Sequence, residues 1–588
     1  MHTFRVWAPF PKDVTLVVNG ARQPMAGDAS GWRTATIGNA DAGADYGFIL
    51  DGEGPFPDPR SPCQPQGVHG LSRVVNHAAF QWGDAGWQAP PLASASFYEL
   101  HVGTFTQEGT FAAAIEKLDH LVELGITHVE LMPVAEFSGS HGWGYDGVDL
   151  YAPHHAYGSP EDLKRLVEAC HARRLAVFLD VVYNHLGPTG NYLGKFGPYF
   201  TSHYATPWGQ ALNFDDADNG EVRRFFCDNA LMWLRDFHFD GLRLDAVHAI
   251  VDASAEPFLA QLESEVKELA AATGRNLTLV AESDLNDPRL LAACEAGGFE
   301  LDAQWSDDFH HSLHSVLTGE KTGYYADFGT LADLAKALRN AWVYDGQYSH
   351  FRRRTHGRPH NHLSGHRFLG YLQNHDQVGN RAKGERSSQL MSVGKLKIGA
   401  ALVLTAPFLP MLFQGEEWGA STPFLYFTDH EDQALVEAVR EGRRREFAAF
   451  GWKPEEIPDP QAPETFARSK LKWGEVHVGK HADLWRWHKE LIRLRRSEFA
   501  LGDGRLELVN VRFDEEARWL ALERGTFAIV CNLSEDKQVI PVEANMHWEV
   551  VLASEQVAPE GAGYLLQPES VAVLCCVCSR VKGEDRGR

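Results

Sequence analysis

Cysteine is scarce in this chain, eight residues in 588 (63, 170, 227, 294, 531, 575, 576 and 578), and their scatter excludes a small fold held by disulfides. Cys575, Cys576 and Cys578 do cluster. Their setting, VAVLCCVC, is an apolar β-type run with no second Cys/His pair beside it, so buried strand thiols are expected, with no metal and no other cofactor. Positive charge is also short: 55 Lys and Arg against 79 Asp and Glu leave a net charge of −24, a field that repels phosphate and excludes nucleic acid and anionic membrane as partners. Apolar stretches of bilayer length are missing, and the opening MHTFRVWAPF has neither a basic segment nor an apolar one of leader type. The expectation is a soluble, cytoplasmic chain. A neutral ligand fits best, and the 11% of aromatic residues supply faces that stack on sugar rings.

Residues 1–90 read as short strands, TFRVWAPF, DVTLVVNG, WRTATIG and YGFILDG, with Gly- and Pro-rich turns between them, the pattern of a small β-sandwich. From 91 to 498, β-type runs such as SFYELHVGTF, THVELMPV and RFLGYLQNH alternate with helix-period segments such as SPEDLKRLVEACHARR and GEVRRFFCDNALMWLRDFH. About eight such units make the chain an α/β protein built on a closed (β/α)8 TIM barrel. Residues 499–588 return to strands, RWLALERG, FAIVCNLS, HWEVVLAS and SVAVLCCVC, as a C-terminal β-sandwich with a frayed polar tail, VKGEDRGR. Inserted loops at 136–158, 186–218, 306–329, 344–366 and 417–480 are each read as following a strand, the end of a barrel where active sites are built.

Three acids close apolar β-type runs: Asp245 in GLRLDAVH, Glu282 in LTLVAESD and Asp376 in LGYLQNHDQVGN. A carboxylate in that position needs a partner or a task. Arg243 and Asp245 are two apart and leave the strand by one face, and a guanidinium there keeps a nucleophilic carboxylate ionised; a structural Arg–Asp pair is the alternative. Glu282 would sit in a partly dry site, the setting of a general acid, or else of a paired core acid. Asp376 follows Asn374 and His375, a group suited to gripping hydroxyls, though such an Asp also serves as a loop cap. In DVVYNH, Asp180, Val182 and Asn184 share a face, and His185 opens the next loop, set either against substrate or against backbone.

In this order, DVVYNH, GLRLDAVH, VAESD and QNHDQ resemble the four recurrent segments of glycoside hydrolase family 13, the α-amylase family, and span residues 180–377. The resemblance implies Asp245 as nucleophile, Glu282 as acid/base and Asp376 as stabiliser of an oxocarbenium-like sugar in a retaining double displacement. It also implies that Arg243, His185 and His375 line the same subsite and that Tyr145, in HGWGYDGVDLYAP, stacks on the sugar being cleaved. FRVWAPFPKDVTLVV is similar to the domain that precedes the barrel in branching, debranching and trehalose-releasing members. DAQWSDDFHHSLHSVLTGEKTGYYADF and FQGEEWGASTPFLYFTDH resemble the members that release trehalose from maltooligosyl trehalose. Such a member implies a functional partner, a synthase that makes the trehalosyl end. His248 stands where α-amylases usually carry Lys, and Asp307, Asp308, His311, Tyr325 and Gln377 are candidates for the trehalose pocket, each equally readable as loop packing. A 1,4-α-glucan branching enzyme, an α-1,6 debranching hydrolase and a non-catalytic α-glucan-binding protein are the alternatives. Some family members hold calcium near the position of Asn184, but no acid-rich cage is legible here, and the His-rich THGRPHNHLSGH reads as a solvated loop.

Overall fold

The computed structural model describes residues 1–38, 40–206, 209–360, 362–448, 453, 456–543 and 546–576, without the side chains of Glu446 and Ala448. Eight parallel strands close into a barrel: β1 (Phe97–Leu100), β2 (His128–Leu131), β3 (Ala176–Val181), β4 (Gly241–Leu244), β5 (Thr278–Ala281), β6 (Ala303–Trp305), β7 (Phe368–Tyr371) and β8 (Leu409–Phe413). Each strand pairs with its successor, and β8 returns to β1 with Met411 opposite Phe97. Helices α1 (Pro160–Ala172), α2 (Asn219–Asp236), α3 (Phe258–Thr273), α4 (Asp307–Thr318), α5 (Leu331–Asn340), α6 (Val393–Thr405) and α7 (Gly479–Ser497) belong to its outer layer. Their starts are written locally: α1 opens on a capping box between Ser159 and Asp162 with Pro160 in its first turn, and α5 on one between Thr330 and Asp333.

Strand parity turns this barrel into a site. Phe97, Phe178, Val280 and Trp305 point inward and join Leu369, Tyr371 and Met411 in a buried apolar plug. Two residues further on, Glu99 and Asp180 continue that face within β1 and β3, and Glu282 and Asp307 follow just past the ends of β5 and β6. A ring of carboxyls therefore sits on a dry floor, where each needs a hydrogen-bonding or charged partner. Gly241 makes room for the plug, since a Cβ there would lie 2.3 Å from the Phe178 ring.

The N-terminal strands form two antiparallel sheets, one including His2–Trp7 and Trp32–Ile37, the other Val14–Val18 and Asp45–Leu50, with Phe4, Val6, Leu16 and Phe48 buried between them. They rest on the segment after β3: Trp7 meets Tyr199 at 5.5 Å between ring centroids, and Phe48 meets Phe196 at 6.3 Å. The C-terminal strands form a five-stranded and a three-stranded antiparallel sheet.

Several readings of the sequence are corrected. The segment 306–329 is not a loop: Asp307–Thr318 is a helix, favoured by two acids in its first turn and ended by Gly319 in the left-handed region at φ 79°. The segment 344–366 follows helix α5, not a strand, although its hairpin, Gln347–Ser349 with Arg354–His356, reaches back to the catalytic face. The segment 417–480 carries helices Gln433–Ala448 and Pro463–Ser469. The His-rich loop is not simply solvated, because His356 and His360 are buried and bonded to Asp284 O and Asn340 Oδ1. Cys575 and Cys576 end a strand half-buried instead of buried, while Cys578 and the tail VKGEDRGR lie outside the described residues.

Candidate active site

Asp180 and Arg243 are opposite each other in the β3/β4 ladder. The ladder runs on, with Asp245 N donating to Val181 O at 3.1 Å and Glu282 N to Leu244 O at 3.0 Å, which brings Asp245 level with Glu282. Arg243 is wholly buried. Its Nη1 donates to Asp180 Oδ2 at 2.5 Å and Asp245 Oδ1 at 2.9 Å, and its Nη2 lies 2.9 Å from Glu282 Oε2, an ion pair off the N–H axis. The Trp305 ring supports the guanidinium at 4.3 Å. One cation thus serves three carboxyls. Its pKa stands well above the usual value although burial opposes this, whereas burial lifts Asp180 to about 7 against the pull of Arg243. Replacing Arg243 by Leu leaves these carboxyls without a counter-charge and is expected to cost about 3–5 kcal/mol, read as a fall in Tm.

The remaining contacts orient the acids. Asn184 Nδ2 donates to Asp245 Oδ2 at 2.7 Å and to Asp245 O at 2.9 Å, which fixes one oxygen of the carboxylate. His185 lies between Asn184 Oδ1 (2.6 Å) and the Tyr145 carbonyl (2.8 Å). Ala246 has φ 41°, in the left-handed region an alanine rarely enters, and its N–H thereby donates to Glu282 Oε2 at 2.7 Å. Asn374 Oδ1 accepts from the N–H groups of Asp376 (3.0 Å) and Gln377 (3.2 Å). Burial raises the Asp376 pKa; His375 pulls it down and Glu282 pushes it further up. Tyr145 donates to Asp180 Oδ2 at 2.6 Å, and its ring stacks on His375 at 5.1 Å.

Asp245, Glu282, Asp376, Tyr145, His185 and His375 all line one cavity of ≈710 Å³, with Arg243 beneath it; Trp143, Tyr426, His430 and Phe200 wall it from the loops after β2, β8 and β3. That volume lies in the range of small-ligand sites, about 300–1,000 Å³. The residues proposed for a trehalose pocket divide. Asp307 bonds to the Tyr371 hydroxyl beside Glu282, and burial, then Glu282, raises it to about 8. His248 is exposed in the turn after Asp245, near Asp284, and Gln377 is half-buried next to Asp376. These three adjoin the acids without lining the cavity, and the other three neither line it nor adjoin them. Asp308 Oδ2 accepts from Asn286 Nδ2 and the N–H groups of Val343 and Tyr344, each at 2.8 Å. Tyr325 is buried with its hydroxyl 2.9 Å from His310 Nε2. His311 packs on Tyr324, Tyr325 and Phe328, and burial holds its pKa down at about 3. Tyr324, 37% exposed, is the outward-facing tyrosine of that pair.

Sequence reasoning passed over Glu99 and Glu130, which occupy the inward face of β1 and β2 in apolar runs, FYEL and HVEL, of the kind that marked Glu282. It also passed over Trp143, Tyr426 and His430, for which loop sequence carries no periodic signal. Among the described residues one Glu/His group, Glu136, His154 and His155, has potential ligand atoms within 4.8 Å of one another. Both Glu136 oxygens already accept from His155, Nδ1 and N, at 2.7 Å, so the group forms an ion pair at the base of the loop carrying Tyr145. No helix among the described residues is long and apolar enough to cross a membrane.

Residues 92–208 match the model of the alpha amylase catalytic domain, and residues 504–573 match a domain of unknown function, DUF3459. Malto-oligosyltrehalose trehalohydrolase of Mycobacterium tuberculosis (strain CDC 1551 / Oshkosh) is 50% identical over 562 residues, 94% of this chain and 96% of that one. The protein of the same name from Arthrobacter ramosus is 50% identical over 97% and 99% of the two chains. A solved structure, a putative alpha amylase from Salmonella typhimurium, superposes with a TM-score of 0.90 at 38% identity, covering 97% of both chains. With identity of this degree over nearly its whole length, and with the barrel and its acids in place, the chain belongs to the malto-oligosyltrehalose trehalohydrolases of the α-amylase family.

Proposed function

We propose that this protein cleaves the α-1,4 bond next to the terminal trehalose of maltooligosyl trehalose, releasing trehalose and a maltooligosaccharide with retention of configuration. The observation that carries the reading is the convergence of Asp245, Glu282 and Asp376 on one cavity, two of them bound to the same guanidinium. Asp245 attacks the anomeric carbon while Glu282 gives its proton to the glycosidic oxygen, and trehalose leaves. Water then attacks the same carbon, Glu282 takes back a proton, and the bond to Asp245 breaks. Two carboxyls sharing one guanidinium favour the ~5–5.5 Å spacing of retaining enzymes over the ~6.5–9.5 Å of inverting ones. Asp376, beside His375, grips the ring as positive charge develops, and the stacked Tyr145 and His375 rings form the floor.

The substrate follows from the relatives, whose name specifies a trehalosyl end. His248, Asp307 and Gln377, which lie close to the acids, are the residues we assign to that end. Its α,α-1,1 link must be supplied by a reaction that turns the reducing end of a maltooligosaccharide inward, so a synthase of that kind is the functional partner. Incubation with maltooligosyl trehalose tests the reading: free trehalose is the expected early product. New α-1,6 links in amylose would indicate a branching enzyme, linear chains from pullulan a debranching one, and binding of maltodextrin without turnover a glucan-binding protein.

A further inference from the structure

Below the cavity, the top of the barrel holds two acids that the proposed reaction does not use. Glu99 and Glu130 are opposite each other in the β1/β2 ladder, at 1% and 0% exposure. Two carboxylates side by side in a dry interior are not both ionised without large cost. Their surroundings differ. Neither Glu130 oxygen has a hydrogen-bond partner, and burial, then Glu99, raises its pKa far above the carboxylate range, so Glu130 is neutral. Both Glu99 oxygens hold one residue, His375: Oε1 lies 2.5 Å from Nδ1, and Oε2 accepts the backbone N–H at 3.0 Å.

The contacts on the far side of the ring point to one form of that histidine. Tyr145 directs its single O–H at Asp180 Oδ2, and its oxygen, which takes an N–H of Arg243 Nη1 at 3.3 Å, has a second lone pair for His375 Nε2, 2.7 Å away. The same Nε2 lies 3.5 Å from Asp376 Oδ1. With a carboxylate at Nδ1 and a lone pair at Nε2, both ring nitrogens carry hydrogen. We propose that Glu99 is a positioning residue that holds His375 as a fixed imidazolium, whose Nε2–H keeps Tyr145 and Asp376 aligned and Asp376 ionised at the floor of the sugar site. The proposal rests on the reading of Asp376 given above.

The titratable and charged groups facing His375 are Glu99 and His101 from β1 and the residue after it, Glu130 and Tyr145 from β2 and its loop, Arg243 from β4, and Asp376 beside it. Burial and Arg243 disfavour the charge; Glu99 and Asp376 outweigh them and place the pKa at about 9. His375 is therefore charged below that pH and loses its charge as pH rises through it. Removing the Glu99 charge moves this loss to lower pH.

Glu99→Gln keeps the shape and an acceptor and removes the charge. Glu130→Gln, a neutral amide for a neutral carboxyl, is the control. The readouts are the pH profile of kcat/KM on maltooligosyl trehalose and the titration of His375 by imidazole ¹⁵N shifts. In Glu99→Gln the His375 pKa and the alkaline limb are expected to fall together by about one unit or more, so that activity above the shifted limb drops about tenfold against wild type. Glu130→Gln is expected to leave both curves in place. A uniform loss of activity in Glu99→Gln, with the limb and the His375 titration unmoved, overturns the proposal. Should that variant not fold, Glu99→Asp retains the charge one methylene further away; a His375 pKa still above its ordinary value supports the proposal, and an ordinary one overturns it. If the wild type does not turn over this substrate, the functional reading fails, and the His375 titration alone still decides the role of Glu99.

Discussion

In Glu282→Gln protein, turnover of maltooligosyl trehalose is expected to fall about 10²–10⁴-fold while affinity for the substrate is nearly unchanged. The amide has the volume of the carboxyl, and its oxygen can still accept from Ala246 N, which now holds Glu282 Oε2 at 2.7 Å. What is lost is the proton for the leaving trehalose and the base for the incoming water. A substrate whose leaving group needs no proton, such as a maltosyl fluoride, should therefore recover the first step in this variant. Steady-state kinetics on the two substrates checks both statements. Activity above roughly one percent of wild type on maltooligosyl trehalose contradicts the assignment, being less than the acid/base loss demands.

Asp245→Asn removes the nucleophile, and here the fluoride should bring no recovery. The expected loss in kcat is about 10⁴–10⁶-fold on both substrates, the scale seen when an attacking side chain is deleted. Local structure also reacts. The carboxylate now accepts from Arg243 Nη1 on one oxygen and Asn184 Nδ2 on the other, so an amide group must turn a donor toward a donor on one side. About 1 kcal/mol of stability is expected to go with that hydrogen bond. Thermal unfolding alongside the kinetics separates this small cost from the large catalytic one.

Most of the architecture was legible because it is written in period. Short apolar runs set between amphipathic helices marked all eight barrel strands, and the two-residue period within a strand put Arg243 and Asp245 on one face. Amphipathic spacing gave α1 and α2 to within a residue or two. Legibility failed where long-range contacts override local pattern. DDFHHSLHSVLT, with three histidines, reads as loop, yet it is a helix whose histidines are buried against Tyr325, Tyr371 and Phe328. Asp308 looked like a ligand group, but the amides it serves come from residues 343–344, which no local pattern brings near. Glu99 carried the same mark as Glu282, an acid in an apolar strand, and was passed over because its partner lies 276 positions away.

The most direct measurement is to trap the first intermediate: Glu282→Gln protein treated with maltosyl fluoride, quenched in acid, digested and sequenced by mass spectrometry. Water attack is slow without the base, so the sugar should accumulate as an ester on the peptide GLRLDAVH, on Asp245 itself. A label on any other carboxyl, or fluoride release with no labelled peptide and inverted product, contradicts a retaining mechanism through Asp245.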